Sequence, residues 1–374
     1  MNLPPFLLDQ WISKYDFAEP PIAYNLASST GPRWSVAELT RLGAAPPALA
    51  SSVLSYAPPA GSRPLREAVA DCHGADPDWV VMTTGASEAL SVFLCLSERP
   101  GGNVVMPDPG YPAYAAMAQL WRLGVRNYSL SAATNFAQTA ESVFAAVDPD
   151  TVAVIVNTPH NPTGSVMAAE ELGLLSAKLA DRGVPLVVDE VYHPLYFGPP
   201  IPSAAGLENA IVTSDLSKAM SLPGLRTGWI IDRDATRRAR IVNARGYFTI
   251  SGSPQLELLA THALRHRGQI LARLQTAATK NLDLLAALIA GAGGVLSWSR
   301  PRGGTTSFPW FTDGRNSRPF CEALAGAGVL IAPGDCFGHP RHMRIGFAQQ
   351  ETQFQEAVQL IGQALIPTAV IVDL

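Results

Sequence analysis

Short apolar runs alternate with longer stretches of helical character between residues 79 and 231. Each run is almost continuously apolar and rich in β-branched residues, whereas a half-exposed strand would alternate apolar and polar positions. Such strands are buried on both faces, and the stretches between them predict helices that cover the sheet. We therefore expect an α/β fold with a mostly parallel sheet, whose strands lie at residues 80–83, 104–106, 152–156, 185–189, 210–213 and 227–231.

The chain before this region carries a weaker pattern. Residues 1–45 contain two short predicted helices, at 11–15 and 35–42. The second has Ser35 as its N-cap and Glu38 three residues later, the spacing of a capping box. A turn-rich link then leads into a predicted helix at 64–72. We expect residues 1–45 to form an N-terminal arm that belongs to a smaller domain.

The chain after residue 252 changes character again. A long helical stretch at 254–291 has Gly268 as its main interruption, and a strand pair is predicted around 295–298 and 305–308. A helix at 318–327, strands at 329–331 and 343–347, and a closing helix at 350–365 follow. We therefore predict a large domain at 46–252 and a smaller α+β domain formed by the arm and residues 253–374.

Composition narrows the possible functions. Of the 374 residues, 47% are hydrophobic and 16% are charged, and the net charge is −4. The sequence has no run of basic residues that could bind nucleic acid, and no stretch is long and apolar enough to span a membrane. The first ten residues lack the basic region of a signal peptide. We expect a soluble, cytoplasmic protein with no nucleic-acid or membrane partner.

Cysteine and histidine spacing gives no framework for disulfides or metal. The four cysteines, Cys72, Cys95, Cys321 and Cys336, lie far apart and are typical of buried thiols in a reducing compartment. The seven histidines are scattered, and no pair has the spacing of metal ligands. We therefore predict no metal site.

Five loops follow predicted strands, where an α/β sheet collects its functional groups. The first, residues 83–89, turns through small residues into a helix and would offer backbone N–H groups to an anion. An ordinary capped helix explains this loop as well. The second, residues 108–112, fixes Tyr111 between two prolines. Its ring could lie over a flat ligand or simply pack in the core.

The third and fourth loops place polar groups after strongly apolar strands. Residues 157–164 read N-T-P-H-N-P-T-G, and amides there are costly to bury without partners, so a plain turn explains this motif poorly. Asp189 ends another apolar strand, and Tyr192 lies three residues on. A buried carboxylate needs a positive partner, which is either the pyridinium nitrogen of a ligand or a structural ion pair.

The fifth loop, residues 213–229, contains Lys218 in a mostly uncharged run and Arg226 eight residues later. Desolvation penalises an ammonium group, so a lysine there can lose its proton and attack an aldehyde. Arg226 is a candidate ligand for a phosphate. The alternative interpretation is a surface loop between a strand and a helix.

Taken together and in this order, the loops resemble those of the class I/II aminotransferases, the fold-type I family that depends on pyridoxal 5′-phosphate. The strongest marks are N-P-T-G at 161–164, Asp189 with Tyr192, and Ser217-Lys218 followed by G-x-R-x-G at 224–228. The resemblance covers nearly the whole chain. It implies that residues 46–252 form the cofactor-binding domain.

The resemblance also implies a role for each site residue. Lys218 would form the Schiff base (the internal aldimine) with the cofactor and move the substrate proton. Asp189 would keep the pyridine nitrogen protonated, and Tyr111 would stack on the ring. The other predicted contacts hold the phenolic oxygen (Asn161 and Tyr192) and the phosphate (Gly85, Ala86, Ser87 and Arg226).

Further matches concern the partner subunit and the substrate. Tyr56 matches a tyrosine that reaches the phosphate of the neighbouring subunit, which implies a homodimer with shared active sites. Arg344 matches the arginine that holds the substrate α-carboxylate, for which its planar fork is suited. Asn161 would also contact the substrate, and Ser29 would close over it. Asp215 departs from the family, which usually has a serine there that binds the phosphate.

The predicted reaction is transamination between an amino acid and a 2-oxo acid. The same kind of site also supports elimination, decarboxylation, racemisation and cyclisation. Residues 247–253 and 302–306 are similar to segments of cyclising enzymes that make capreomycidine-like guanidino amino acids, which makes a cyclase the main alternative. A more remote alternative is a non-catalytic ligand-binding protein, against which the intact Lys218, Asp189, Asn161 and Arg344 argue.

Overall fold

The computed structural model describes residues 3–365. Its helices are α1 (Leu7–Asp16), α2 (Val36–Thr40), α3 (Arg63–His73), α4 (Gly85–Leu96), α5 (Ala113–Leu120), α6 (Ala140–Phe144), α7 (Ala169–Ala180), α8 (Ala235–Arg245), α9 (Pro254–Arg265), α10 (Arg267–Gly291), α11 (Arg318–Gly326) and α12 (Glu351–Leu365).

Its strands are β1 (Tyr24–Asn25), β2 (Val80–Thr83), β3 (Asn103–Asp108), β4 (Gly124–Ser129), β5 (Thr151–Asn157), β6 (Leu186–Asp189), β7 (Ala210–Asp215), β8 (Gly228–Ile231), β9 (Leu296–Ser297), β10 (Thr306–Ser307), β11 (Trp310–Phe311), β12 (Val329–Leu330), β13 (Ala332–Pro333) and β14 (Met343–Gly346).

Seven strands form one sheet in the order β2-β8-β7-β6-β5-β3-β4. The strands from β4 to β7 are parallel, and β8 is antiparallel to both of its neighbours. The predicted α/β class with a mostly parallel sheet is confirmed. The sequence analysis missed β4, because this edge strand is polar and largely exposed and so lacks a continuous apolar run.

Both faces of the sheet are buried because successive side chains of a strand point to opposite faces. In β5, Val154 and Val156 belong to the same hydrophobic cluster as Leu175 of α7. Ile155, between them, belongs to a second cluster with Phe93 of α4. Two-sided burial is thus the physical reason for the uninterrupted apolar runs in the sequence.

The N-terminal arm packs against elements from the end of the chain. Strand β1 pairs in parallel with β12, with Tyr24 opposite Val329, and the Trp11 indole donates a hydrogen bond to the Ile331 carbonyl at 2.9 Å. The predicted capping box forms at α2, where Ser35 and Glu38 satisfy each other's backbone N–H groups. The division into domains stays a prediction.

Two details of the C-terminal third differ from the sequence prediction. The long helical stretch breaks at His266, between α9 and α10, and Gly268 lies inside the first turn of α10. The two strands predicted as a pair do not pair with each other, since β9 pairs with β11 and β10 pairs with β14. None of the helices within residues 3–365 is long and apolar enough to cross a membrane.

Candidate active site

The carboxyl ends of β5, β6 and β7 meet at one edge of the sheet, where a cavity of about 280 Å³ opens. Ten of the twelve predicted site residues line it: Ser29, Ala86, Ser87, Tyr111, Asn161, Asp189, Tyr192, Lys218, Arg226 and Arg344. Parallel strands end at the same edge, so the topology gathers loops that are distant in sequence. Gly85 and Tyr56 are the two predicted residues outside the cavity lining.

Asp189 is the last residue of β6, and its carboxylate faces the cavity. Its Oδ2 accepts a hydrogen bond from the Tyr114 hydroxyl at 2.5 Å, and its Oδ1 accepts one from the Val191 N–H at 3.1 Å. Burial raises the pKa of Asp189 to about 6, and these two hydrogen bonds oppose the shift. A carboxylate in such a place calls for a positively charged partner.

Two asparagines fix the end of β5 relative to its neighbours. Asn157 donates from Nδ2 to the Asp189 carbonyl at 3.0 Å and accepts from the Asn161 N–H at 2.7 Å. Asn161 accepts in turn from Nη1 of Arg344 on β14 at 3.2 Å. These partners explain why the chain tolerates amides directly after its most apolar strand.

Arg344 is almost fully buried, with 2% of its surface exposed. Nη2 donates to the Ala27 carbonyl at 2.6 Å, whereas Nε has no hydrogen-bond partner within residues 3–365. Burial lowers the pKa of Arg344. A buried donor without an acceptor is costly, and a carboxylate in the cavity would supply that acceptor.

Lys218 follows the end of β7 and is half-buried. Its Nζ donates to Ser29 Oγ at 2.9 Å, and Thr305 Oγ1 holds the Ser29 carbonyl at 2.8 Å. Burial lowers the pKa of Lys218, and nearby arginines add to this effect while Asp215 opposes it. The amine therefore loses its proton more readily than that of a solvated lysine, as a nucleophile requires.

The start of α4 forms a corner suited to an anion. Gly85 has φ +76°, and a Cβ there would lie 2.5 Å from Nη2 of Arg226. A Cβ at Gly228 would lie 2.4 Å from the Gly85 carbonyl carbon. Both positions need glycine, because β8 and the Arg226 guanidinium pack against the first turn of the helix. The guanidinium thus lies beside the N–H groups at the start of α4, where a phosphate is favoured.

Asp215 occupies part of the same corner. Its Oδ2 accepts a hydrogen bond from the Ala86 N–H at 3.3 Å, and its Oδ1 accepts one from the Ser217 N–H at 2.8 Å. The carboxylate therefore already bonds one of the amides that the sequence analysis assigned to a phosphate. The one departure from the family pattern thus lies in the predicted phosphate corner.

Helix α1 and the residue before it supply another part of the cavity lining, which we call the α1 wall: Phe6, Leu8, Asp9 and Ile12. Asp9 and Ile12 are three residues apart, close to the helical repeat of about 3.6 residues, so they lie along one face of the helix, and Phe6 directly precedes it. The Phe6 ring meets Tyr111 edge-on, with 6.0 Å between ring centroids. The sequence analysis missed this wall because it started the helix at residue 11.

Another polar cluster lies behind the site, and sequence spacing could not reveal it. His73, Glu190 and His193 bring their potential ligand atoms within 4.8 Å of one another. His73 Nδ1 lies 3.1 Å from Glu190 Oε2, and its Nε2 accepts from the Trp229 indole at 3.1 Å. Both ring nitrogens of His73 are thus used in hydrogen bonds, so we interpret the cluster as support for the end of β6.

Tyr56 lies apart from the cavity of its own chain. Its side chain is 80% exposed and borders a different surface depression. The role that the sequence analysis gave it, in the site of a neighbouring subunit, stays a prediction.

The fold and the cavity together define the chain as a pyridoxal-phosphate-dependent enzyme of fold type I. The family model for aminotransferase class I and II matches residues 29–361. The chain belongs to this family, and the resemblance noted in the sequence is confirmed.

Individual relatives catalyse different reactions, to judge from their names. The chain is 32% identical to capreomycidine synthase of Streptomyces vinaceus over 82% of this chain and 80% of that protein. It is 31% identical to valine–pyruvate aminotransferase of Mycobacterium tuberculosis over 97% of both chains. A pyridoxal-phosphate-dependent aminotransferase from Streptococcus suis matches with a TM-score of 0.90 and 26% identity over 98% of both chains.

The residues present fit pyridoxal phosphate. The Tyr192 hydroxyl is buried and has no hydrogen-bond partner in the described part of the chain, so it is available to a ring oxygen. Asp189 would face the ring nitrogen, and the α4 corner with Arg226 would hold the phosphate. The donors, the carboxylate and the amine thus match the chemical groups of the cofactor.

Proposed function

We propose that this enzyme transfers an amino group from an amino acid to a 2-oxo acid, with Lys218 as the catalytic amine. The observation that carries the proposal is that one cavity gathers Lys218, Asp189 and Arg344, each with its charged group oriented by named hydrogen bonds. An amine can react with the cofactor aldehyde, a carboxylate that needs a cation can pair with the ring nitrogen, and a guanidinium with a free donor can bind the carboxylate of an amino acid.

Each residue has a distinct task in this proposal. Bound pyridoxal phosphate supplies an electron sink for charge that develops at the substrate Cα. Arg344 binds the substrate α-carboxylate in a bidentate manner. With the cofactor bound, the Lys218 amine would hold it through the aldehyde carbon. Once the substrate amine has displaced it there, the released Lys218 amine would take the proton from the substrate Cα and return it on the other side of the amino nitrogen.

The remaining contacts orient the reactants. Tyr111 would lie against the cofactor ring, and Asn161 and Tyr192 would bond its phenolic oxygen. Gly85, Ala86, Ser87 and Arg226 would hold the phosphate in the α4 corner. Ser29 accepts a hydrogen bond from the Lys218 amine at 2.9 Å and so orients that amine in the cofactor-free protein.

The test is a product analysis of the enzyme loaded with cofactor and mixed with single amino acids. Transamination converts the cofactor to its amine form, releases a 2-oxo acid, and is reversed when a second 2-oxo acid is added. Release of ammonia or carbon dioxide, or a cyclised product, would reject transamination. No reaction with any amino acid would instead support the non-catalytic ligand-binding alternative.

A cyclase or lyase that uses the same cofactor is the second candidate. The likeness to capreomycidine synthase supports it, and so do the charged side chains that line the cavity. Lys218, Arg226 and Arg344 are the cations in its lining, and each already has a task. Asp9, in contrast, is exposed and takes part in none of the ion pairs found within residues 3–365. The α1 wall therefore offers a carboxylate to the substrate side chain, which favours a cationic one.

We also propose that the enzyme is a homodimer. Two segments expose large apolar side chains, Val53, Leu54 and Tyr56 in the first and Tyr247, Phe248 and Ile250 in the second. The buried Arg245 guanidinium bonds the Pro59 carbonyl at 2.6 Å and thereby ties the segments together. An apolar surface of this kind is typical of a subunit interface.

Subunit mixing tests whether Tyr56 acts in the partner's site. Variants K218A and Y56A are each expected to be impaired alone. If Tyr56 acts across the interface, one site of every mixed dimer has both residues, and a one-to-one mixture recovers about a quarter of the wild-type activity. No recovery in proven mixed dimers would place Tyr56 outside the shared site, and a monomer in sedimentation would reject the dimer.

A cytoplasmic location is likewise our proposal. It is supported by the four cysteines, which are all free thiols, as expected in a reducing compartment.

A further inference from the structure

Tyr114 is a buried side chain whose hydroxyl enters the active site from α5. It lies 75 residues from Asp189 in sequence, and its Oη donates to Asp189 Oδ2 at 2.5 Å. The Tyr114 hydroxyl thus donates to a carboxylate oxygen, which is a stronger acceptor when it is charged. Tyr114 therefore contacts the very carboxylate that the proposed function assigns to the cofactor nitrogen.

The Asp189 carboxylate receives one donor on each oxygen. Val191 N–H bonds Oδ1 at 3.1 Å, while Tyr114 bonds Oδ2. Burial favours the protonated acid and raises the pKa of Asp189 to about 6, whereas both donors favour the anion. Among the charged groups nearby, Asp215 also raises this pKa and Lys218 lowers it. Tyr114 is thus one of few groups that keep this buried carboxylate ionised.

We infer that Tyr114 is a positioning residue that keeps Asp189 ionised and aimed at the ring nitrogen of the cofactor. This inference rests on the proposed role of Asp189. A proton shared between a carboxylate and a ring nitrogen stays on the nitrogen only if the carboxylate anion is stabilised. The Tyr114 hydroxyl supplies that stabilisation at Oδ2, whereas the Val191 N–H supplies it at Oδ1, and neither donor belongs to the reacting atoms.

The same side chain supports a second site residue. Its ring meets Tyr111 edge-on, with 5.5 Å between centroids and planes at 85°. Tyr111 is the residue expected to lie against the cofactor ring. The Tyr114 ring supports Tyr111, while its hydroxyl acts on Asp189, so removal of the hydroxyl alone separates the two effects.

Tyr128 provides a matched control for that removal. It is also fully buried in the large sheet, and its one O–H proton is shared between Gln138 Oε1 at 3.0 Å and the Ile155 carbonyl at 3.2 Å. It does not line the cavity. A purely structural buried phenol and the proposed positioning phenol can therefore be compared through Y128F and Y114F.

The first measurement is the pKa of Asp189 in cofactor-free protein. Carbon NMR of labelled aspartate monitors the titration, and the D189N variant identifies the signal that belongs to Asp189. We expect Y114F to raise this pKa and Y128F to leave it unchanged. An unchanged Asp189 pKa in Y114F would overturn the inference. If Y114F does not fold, 3-fluorotyrosine at position 114 keeps the hydroxyl but is a stronger donor, and it should lower the Asp189 pKa; no shift would again overturn the inference.

The second measurement uses pyridoxal phosphate labelled with ¹⁵N in the ring. We expect a pyridinium-like shift in wild type and Y128F, and a shift toward neutral pyridine in Y114F, with kcat lower by about tenfold and KM little changed. If D189N leaves the ¹⁵N shift as in wild type, the proposed role of Asp189 fails. The effect of Tyr114 on the Asp189 pKa in cofactor-free protein is measured independently, so the two failures can be told apart.

Discussion

The two sides of the active-site cavity are built in contrasting ways. The strand ends carry buried polar groups, such as Asp189 and Asn161, whose hydrogen bonds are made within the chain. The α1 wall carries Asp9 on α1 and Phe6 just before it, and both side chains are exposed. The strand side is therefore held in one arrangement by hydrogen bonds within the chain. The α1 side carries a carboxylate with which a charged ligand could pair.

This contrast separates chemistry from specificity. Groups that act on a cofactor must hold one geometry and one protonation state, and burial on strand ends provides both. Groups that choose a substrate side chain need only charge and shape complementarity. The four changes below test that division, beginning with the largest expected effect.

Lys218→Ala removes the only amine among residues 3–365 that lines the cavity. We expect turnover to fall by about 10³-fold or more, because no other group can attach to the cofactor aldehyde. The visible absorption of the bound cofactor should change as well, while circular dichroism stays the same. Substantial turnover in this variant, or an unchanged absorption band, would show that the catalytic amine lies elsewhere.

Asp215→Ser removes the carboxylate that bonds the Ala86 N–H. We expect pyridoxal phosphate to bind about tenfold more tightly, because the carboxylate and the phosphate repel each other and compete for the same amide. Fluorescence titration of cofactor-free protein measures the affinity. Pyridoxal, which lacks the phosphate, is the matched ligand and should show little change. Weaker binding of the phosphate form would mean that Asp215 assists the site.

Asp9→Asn tests the α1 wall as a determinant of specificity. Wild type should prefer arginine to citrulline, its uncharged analogue, and the variant should lower that ratio of kcat/KM values by roughly tenfold. Asp16→Asn is the control, since Asp16 ends the same helix outside the cavity. An unchanged ratio in Asp9→Asn, or equal loss in Asp16→Asn, would contradict the assignment.

Asp189→Asn tests the energetic cost of the strand-end carboxylate. Burial raises its pKa from 3.8 to about 6, so its contribution to folding is full below about pH 4 and is lost as the pH rises through 6. The asparagine variant cannot ionise. Without cofactor it should therefore be more stable than wild type above pH 6, by roughly 3 kcal/mol, with the difference shrinking toward pH 4. Thermal unfolding across this range measures the effect, and a pH-independent difference would contradict it.

Much of the sheet could be predicted because the burial of each strand shows in its own amino-acid sequence. The runs around 80–83, 152–156 and 186–189 are apolar throughout, as two-sided burial requires. The edge strand β4 was not predicted for the same reason. Its side chains are largely exposed, so it contains polar residues such as Arg126 and Asn127 instead of a continuous apolar run. The start of α1 also escaped, although Leu8, Trp11, Ile12 and Tyr15 have helical spacing and pack on the core, because the sequence analysis began the helix at Trp11 and left Leu8 out of this apolar face.

The candidate site was predictable where a residue type was unusual for its surroundings. Asp189 after an apolar strand and Lys218 in an uncharged loop stand out in the sequence. Tyr114 did not, because a tyrosine on a helix is ordinarily a core residue. Asp9 did not either, since an exposed acid in the first turn of a helix is common. Their importance depends on what lies across the cavity.

The sequence by itself determined the α/β class, the order of the strand-end motifs and the family of this enzyme, because each depends on local composition and spacing. Only the tertiary structure placed Tyr114 on Asp189, Asp215 on the Ala86 amide, and Asp9 in the cavity lining. Those contacts join residues far apart in the chain. A hydrogen bond or a shared cavity depends on distance in space, which no local pattern encodes.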